Sequence, residues 1–181
     1  MHIVVDGNKV QFTQADFPML ISGAPGAGSS YFSIELMVEL AKNGEQVVLF
    51  SAYEQAKELF REEMGENIGE NVMIIESGDG DSFLKQISTI ENIDDRIILF
   101  KNIDNYDTGL FTALKDKPLA VFSGDLDACS FKDDLLKKEF KTRIFFSYPE
   151  GVEVEKKIDL PKYSAHIISD RFNGLIAVSK Q

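Results

Sequence analysis

Strands and helices alternate along most of this chain. The alternation predicts an α/β fold with a mainly parallel central sheet, helices on both faces and antiparallel strands at its edges. Short continuous apolar runs, Val47–Phe50 and Ile97–Phe100 among them, have the character of strands covered on both sides. The segments between such runs repeat apolar residues at helical spacing, as at Phe32, Leu36 and Leu40. Turn-forming pairs such as Asn43-Gly44 separate the two kinds of segment.

Taken in order, Ile3–Val5 and Val10–Phe12 flank Asp6-Gly7-Asn8 and predict an opening hairpin. A short strand over Met19–Ile21 then runs into a glycine-rich segment and a helix over Tyr31–Ala41. Strands are expected over Val47–Phe50, Val72–Ile75, Ile97–Phe100, Leu119–Phe122 and Arg143–Ser147. Helices are expected over Tyr53–Met64, Phe83–Ile93, Leu110–Leu114 and Phe131–Phe140. Ser164–Ile168 and Leu175–Val178 predict a closing strand pair that turns at Asn173-Gly174. The charged stretch Glu150–Lys157 reads as a solvated surface loop. There is no internal repeat and no long linker, so residues 1–181 are expected to form a single domain.

Composition narrows the function. A formal net charge of −11 disfavours direct binding to a nucleic-acid backbone. Cys129 is the only cysteine, and His2 and His166 are far apart, so neither a disulfide nor a cysteine- or histidine-based metal site is indicated. The start lacks the pattern of a signal peptide, and no apolar run approaches the ~20 residues of a membrane span. The expectation is a cytoplasmic protein without a membrane partner.

The chemistry concentrates in Gly23-Ala24-Pro25-Gly26-Ala27-Gly28-Ser29-Ser30, the frame of a phosphate-binding loop with serine where its lysine belongs. Glycines let successive amides turn toward phosphate oxygens, and the following helix brings its positive end to the same spot. The hydroxyl at the last position, here Ser30, is the one that would hold magnesium. Ser29 cannot supply the missing charge. Charge-assisted bonds of that kind contribute roughly 1.5–3 kcal/mol each, so nucleotide binding is expected to be weakened on the order of tenfold to hundredfold unless another cation stands in.

The run from Met19 to Glu54 resembles the nucleotide-binding core of RecA-like P-loop ATPases, nearest to the KaiC and DnaB-helicase branch. The resemblance implies a three-layer fold, ATP or ADP as cofactor, and work within a homo-oligomer or with a protein partner. It implies a catalytic carboxylate after the second core strand, for which Glu54 is the candidate, although Tyr53 fills the place of most weight. It also implies an aspartate at the end of the strand over Ile97–Phe100. Lys101 stands there instead, and Asp104 can serve a metal only if the loop bends back. Both departures weaken the case for magnesium. The family's basic residues that reach a neighbouring subunit after the last strand are matched loosely by Lys180, with Arg171 off register.

In the implied fold the two strand ends lie side by side at the carboxyl edge of the sheet. Lys101 could therefore deliver to a phosphate the charge that Ser29 lacks. These features point to a nucleotide-binding or pseudo-ATPase module, regulatory or accessory to a larger assembly, rather than a strong enzyme. An active motor with rearranged cations and a fold-only interaction protein are the alternatives. A kinase fits less well, because the loop lacks positive charge around the phosphates. Asp125 and Asp127 read as turn aspartates, and Phe145, Phe146 and Tyr148 as strand core.

Overall fold

The computed structural model describes residues 3–5, 7–75 and 80–177. Its strands fall where the apolar runs predict. They are β1 (Ile3–Val5), β2 (Asn8–Val10), β3 (Met19–Ser22), β4 (Val47–Ser51), β5 (Val72–Ile75), β6 (Ile97–Lys101), β7 (Ala120–Gly124), β8 (Thr142–Phe145), β9 (Ser164–Ser169) and β10 (Asn173–Ala177). Between them run helices α1 (Ser29–Lys42), α2 (Glu54–Met64), α3 (Gly80–Ser88), α4 (Thr108–Leu114) and α5 (Lys132–Lys137).

All ten strands join one sheet in the order β2-β1-β10-β9-β8-β3-β7-β6-β4-β5. The six from β8 to β5 are parallel, and the remaining four continue the sheet antiparallel. The fold is thus α/β with a mixed sheet, mostly parallel at its centre, as the alternation predicts.

Successive strand residues feed opposite faces. Met19, Ile21, Val47, Leu49, Ile97, Leu99 and Val121 pack in one core with α1 and α2. Leu20, Val48, Phe50, Ile98, Phe100 and Phe122 pack in another with α3, α4 and α5. The second core is a chain of aromatic rings in which Phe50 stacks on Phe83 at 3.9 Å between centroids and Phe111 on Phe131 at 4.9 Å.

Several element boundaries differ from expectation, for local reasons. Asn8 pairs with Val5 inside the opening hairpin, so the second strand is Asn8–Val10 rather than Val10–Phe12. Phe12 instead sits buried with its ring edge-on to Phe172. Helix α3 stops at Ser88, not Ile93, because the Ser88 and Thr89 hydroxyls donate to the carbonyls of Lys85 and Gln86. Helix α5 ends at Lys137, before the predicted Phe140, whose ring turns into the core against Phe122.

The closing turn lies at residues 170–172, not at Asn173-Gly174. Ser169 Oγ accepts from the amides of Arg171 and Phe172, which leaves Asn173 free to pair with Ile168. The Glu150–Lys157 stretch is tied at several points: the Glu150 amide donates to Asp127, Val152 is buried, and Lys157 stands over the Tyr148 ring. His2, Lys180, the Asp6 part of the hairpin turn and Val178 lie outside the described residues.

Arg171 is tied within the chain. Its guanidinium meets the buried carboxylate of Asp16 at 2.6 Å, and the same Asp16 oxygen accepts from the Thr13 amide at 2.7 Å. His166 is likewise held within the chain, between the Tyr148 hydroxyl at 2.7 Å and Asn173 Oδ1 at 3.0 Å. Among the described residues no helix is long and apolar enough to cross a membrane.

Candidate phosphate site

Strand β3 ends at Ser22, and the glycine-rich loop leaves it across the carboxyl edge of the sheet. The Gly23 amide donates to the Gly124 carbonyl on β7, and the Ala24 amide to Ser147 Oγ at 2.8 Å. The Ala27 amide closes a turn on the Ala24 carbonyl, and Pro25 has no amide to offer. The anion cradle is therefore narrower than the whole loop. The amides of Gly26, Gly28, Ser29 and Ser30 find no acceptor among the described residues. They stand where the first turn of α1 leaves its donors open. Gly28 makes this turn possible: it caps α1 with φ at 110°, a left-handed conformation closed to most other residues.

The loop walls a cavity of about 560 Å³, a volume in the usual range for small-ligand sites. Gly23, Ala24, Pro25, Gly26, Gly28, Ser29 and Ser30 line it, together with Asn102, Asp104, Asp125 and Tyr163, whose ring lies beside Gly28. Ser29, at the position of the missing lysine, is itself buried, and its Oγ lies 3.0 Å from where a Cβ on Gly23 would stand. It faces the start of the loop.

The structure corrects one expectation about Lys101. Strands β3 and β6 are not side by side, because β7 lies between them. Register nevertheless puts Lys101 in one row with Ser51, Ser123 and Ile21, on the sheet face that α1 covers. From there the side chain reaches over β7, and Nζ donates to Ser30 Oγ at 2.9 Å. Lys101 is only 2% exposed. Burial drives its pKa down to about 8, opposed by the charge of Asp104. Ser123, also fully buried in that row, has a hydroxyl with no hydrogen-bond partner among the described residues.

The loop after β6 does bend back. Asn102 takes a left-handed conformation, with φ at 64°, and a 3-10 turn over Ile103–Asn105 carries Asp104 to the cavity wall. There Asp104 accepts from the Asp125 amide and from the Asn105 side chain. Gly124 permits this approach, since a Cβ there would stand 2.5 Å from Asp104 Oδ1 and 2.9 Å from the Ile103 amide nitrogen. Gly124→Ala is expected to displace this turn and lower stability by roughly 1–3 kcal/mol. Urea unfolding checks it, and a value within about 0.5 kcal/mol of the parent would mean the turn yields freely.

Glu54 lies apart from this cavity. Its carboxylate is bound along α2 by Arg61 at 2.8 Å and Lys57 at 3.2 Å. Those cations, Arg61 foremost, hold its carboxyl below the usual range. Asp125 lines the cavity and also accepts from the Asp127 amide, in the manner of a turn aspartate, whereas Asp127 pairs with Lys132 at 2.6 Å. Phe145 is buried core, as its strand predicts. Phe146 packs on Phe32 of α1 and lies beneath Gly28. Sequence reasoning missed Ser147 and Tyr163 as parts of the site, since neither stands in the loop frame.

Magnesium fits these residues poorly. The Ser30 hydroxyl that would coordinate it accepts from an ammonium instead. Among the described residues no group of three or more His, Cys, Asp or Glu side chains could hold a metal ion. No protein-family model matches the chain, and no curated protein matches it.

Proposed function

We propose that this chain is a RecA-like P-loop module that binds a nucleotide, ATP or ADP, through its phosphates. It hydrolyses the nucleotide weakly or not at all, and acts as a regulatory or accessory part of a larger assembly. One observation carries the reading: four open amides at the start of α1 wall a ligand-sized cavity, and a buried lysine reaches Ser30 from the adjoining pocket. The position, outside the carboxyl ends of parallel strands, is where open α/β sheets bind ligands. Weak hydrolysis follows from Glu54, whose carboxylate is paired along α2 instead of lining the cavity. With the family's catalytic carboxylate position turned away from the cavity and the loop lysine gone, groups that act as a unit are missing together.

Calorimetric titration with ADP and ATP, followed by a phosphate-release assay, tests the proposal. The expected result is saturable binding with release no faster than the uncatalysed rate. Turnover would favour an active motor. Absence of binding by ADP, ATP and inorganic phosphate alike would leave a fold-only interaction protein.

A further inference from the structure

Lys101 stands where a P-loop site would place its metal. The Ser30 hydroxyl, last in the loop frame, is the group that coordinates magnesium in such sites. Here it accepts from Lys101 Nζ at 2.9 Å, and the negative charge of Asp104 acts on that ammonium. A divalent ion on Ser30 would meet a fixed positive charge at contact distance, in a row where Lys101 and Ser123 are both buried.

The arrangement also leaves donors over. An ammonium carries three N–H groups, and the structure gives Lys101 one acceptor, Ser30. Ser123 contributes a further unpartnered hydroxyl to the same row. The open amides of Gly26, Gly28, Ser29 and Ser30 belong to the neighbouring cavity, and Ser30 lines both that cavity and the pocket of Lys101. A phosphate seated at Ser30 would have the amides on one side and the ammonium on the other.

Resting on the reading above, we infer that the site takes its nucleoside polyphosphate free of magnesium, with the Lys101 ammonium as a built-in cation in the metal's place. A cation supplied by the chain removes the need for the divalent ion that accompanies most cellular nucleotide, and its charge repels that ion. The site therefore discriminates for the uncomplexed fraction, and its occupancy rises when free divalent cation falls.

The test is calorimetric titration of the full chain with ADP, once in excess magnesium and once with EDTA in place of the metal, and in parallel with inorganic phosphate. ADP is expected to bind more tightly in EDTA than in magnesium. Lys101→Met is expected to weaken binding in EDTA on the order of tenfold to hundredfold, the loss of one charge-assisted contact. Equal or tighter binding in magnesium, or an unchanged affinity in Lys101→Met, would overturn the inference while leaving nucleotide binding intact. Binding of neither ADP nor phosphate under either condition would overturn the underlying reading as well. If Lys101→Met does not fold, the magnesium-against-EDTA comparison on the parent chain decides alone.

Discussion

Lys101→Met is expected to make the protein more stable at neutral pH even as it loses phosphate affinity. The side chain is 2% exposed, and burial lowers its pKa from the ordinary 10.5 to about 8. A difference of that size corresponds to roughly 3 kcal/mol of penalty on the charged form. Methionine fills a similar volume without a charge to desolvate, so a gain of about 1–3 kcal/mol at pH 7 is expected. The sign with pH follows from linkage. For a lysine whose folded pKa lies below its unfolded value, the unfolded chain binds more protons between pH 8 and 10.5. Stability from this group therefore rises with pH across that window and is flat below it. Urea unfolding at neutral and alkaline pH should show the rise in the parent and its loss in Lys101→Met. A less stable variant with the parent's pH slope would mean that Lys101 is well solvated in the folded protein.

Phe100→Ala is the most damaging single truncation expected. Phe100 is 1% exposed, and its ring meets Phe122 at 5.3 Å, Phe83 at 5.4 Å and Phe50 at 6.4 Å. Removing a buried aromatic side chain costs about 3–5 kcal/mol once the cavity is counted. In a chain of this size the loss corresponds to a fall of roughly 6–20 °C in melting temperature. Thermal and urea unfolding measure it, and a loss below about 1 kcal/mol would mean the cluster refills the space. Phe100 faces the core built on α3 and α4, opposite the face from which Lys101 reaches the loop. The two neighbours on β6 thus separate stability from binding: Phe100→Ala should lower stability and leave the affinity of the folded fraction close to the parent's.

The elements of this fold were legible because most of the parallel strands are continuous apolar runs; β8, expected over Arg143–Ser147 and found at Thr142–Phe145, is the exception. Strand order was not legible. Nothing local in Ile97–Lys101 or Ala120–Gly124 says that β7 lies between β3 and β6. For the same reason the expected contact of Lys101 with the loop had the wrong geometry, an edge-to-edge neighbourhood in place of a reach across β7. The loop residues could be named in advance because their spacing has a backbone cause. Tyr163 and Ser147 could not, because they arrive from segments that the sheet order alone brings to the cavity. The turn at Asn102 had a faint signal, since asparagine tolerates left-handed backbone better than most residues.

The pairing of Val5 with Ile176 joins the opening hairpin to the last strand. During synthesis β1 and β2 leave the ribosome long before β10 exists. A two-stranded hairpin is marginal by itself in water, so this ribbon must wait, the β1 edge that later meets β10 uncovered, while the parallel centre assembles. Closing so long a loop is slow, which makes docking of the hairpin onto β10 a late event in maturation. Until then the nascent chain exposes a sheet edge that can recruit other chains.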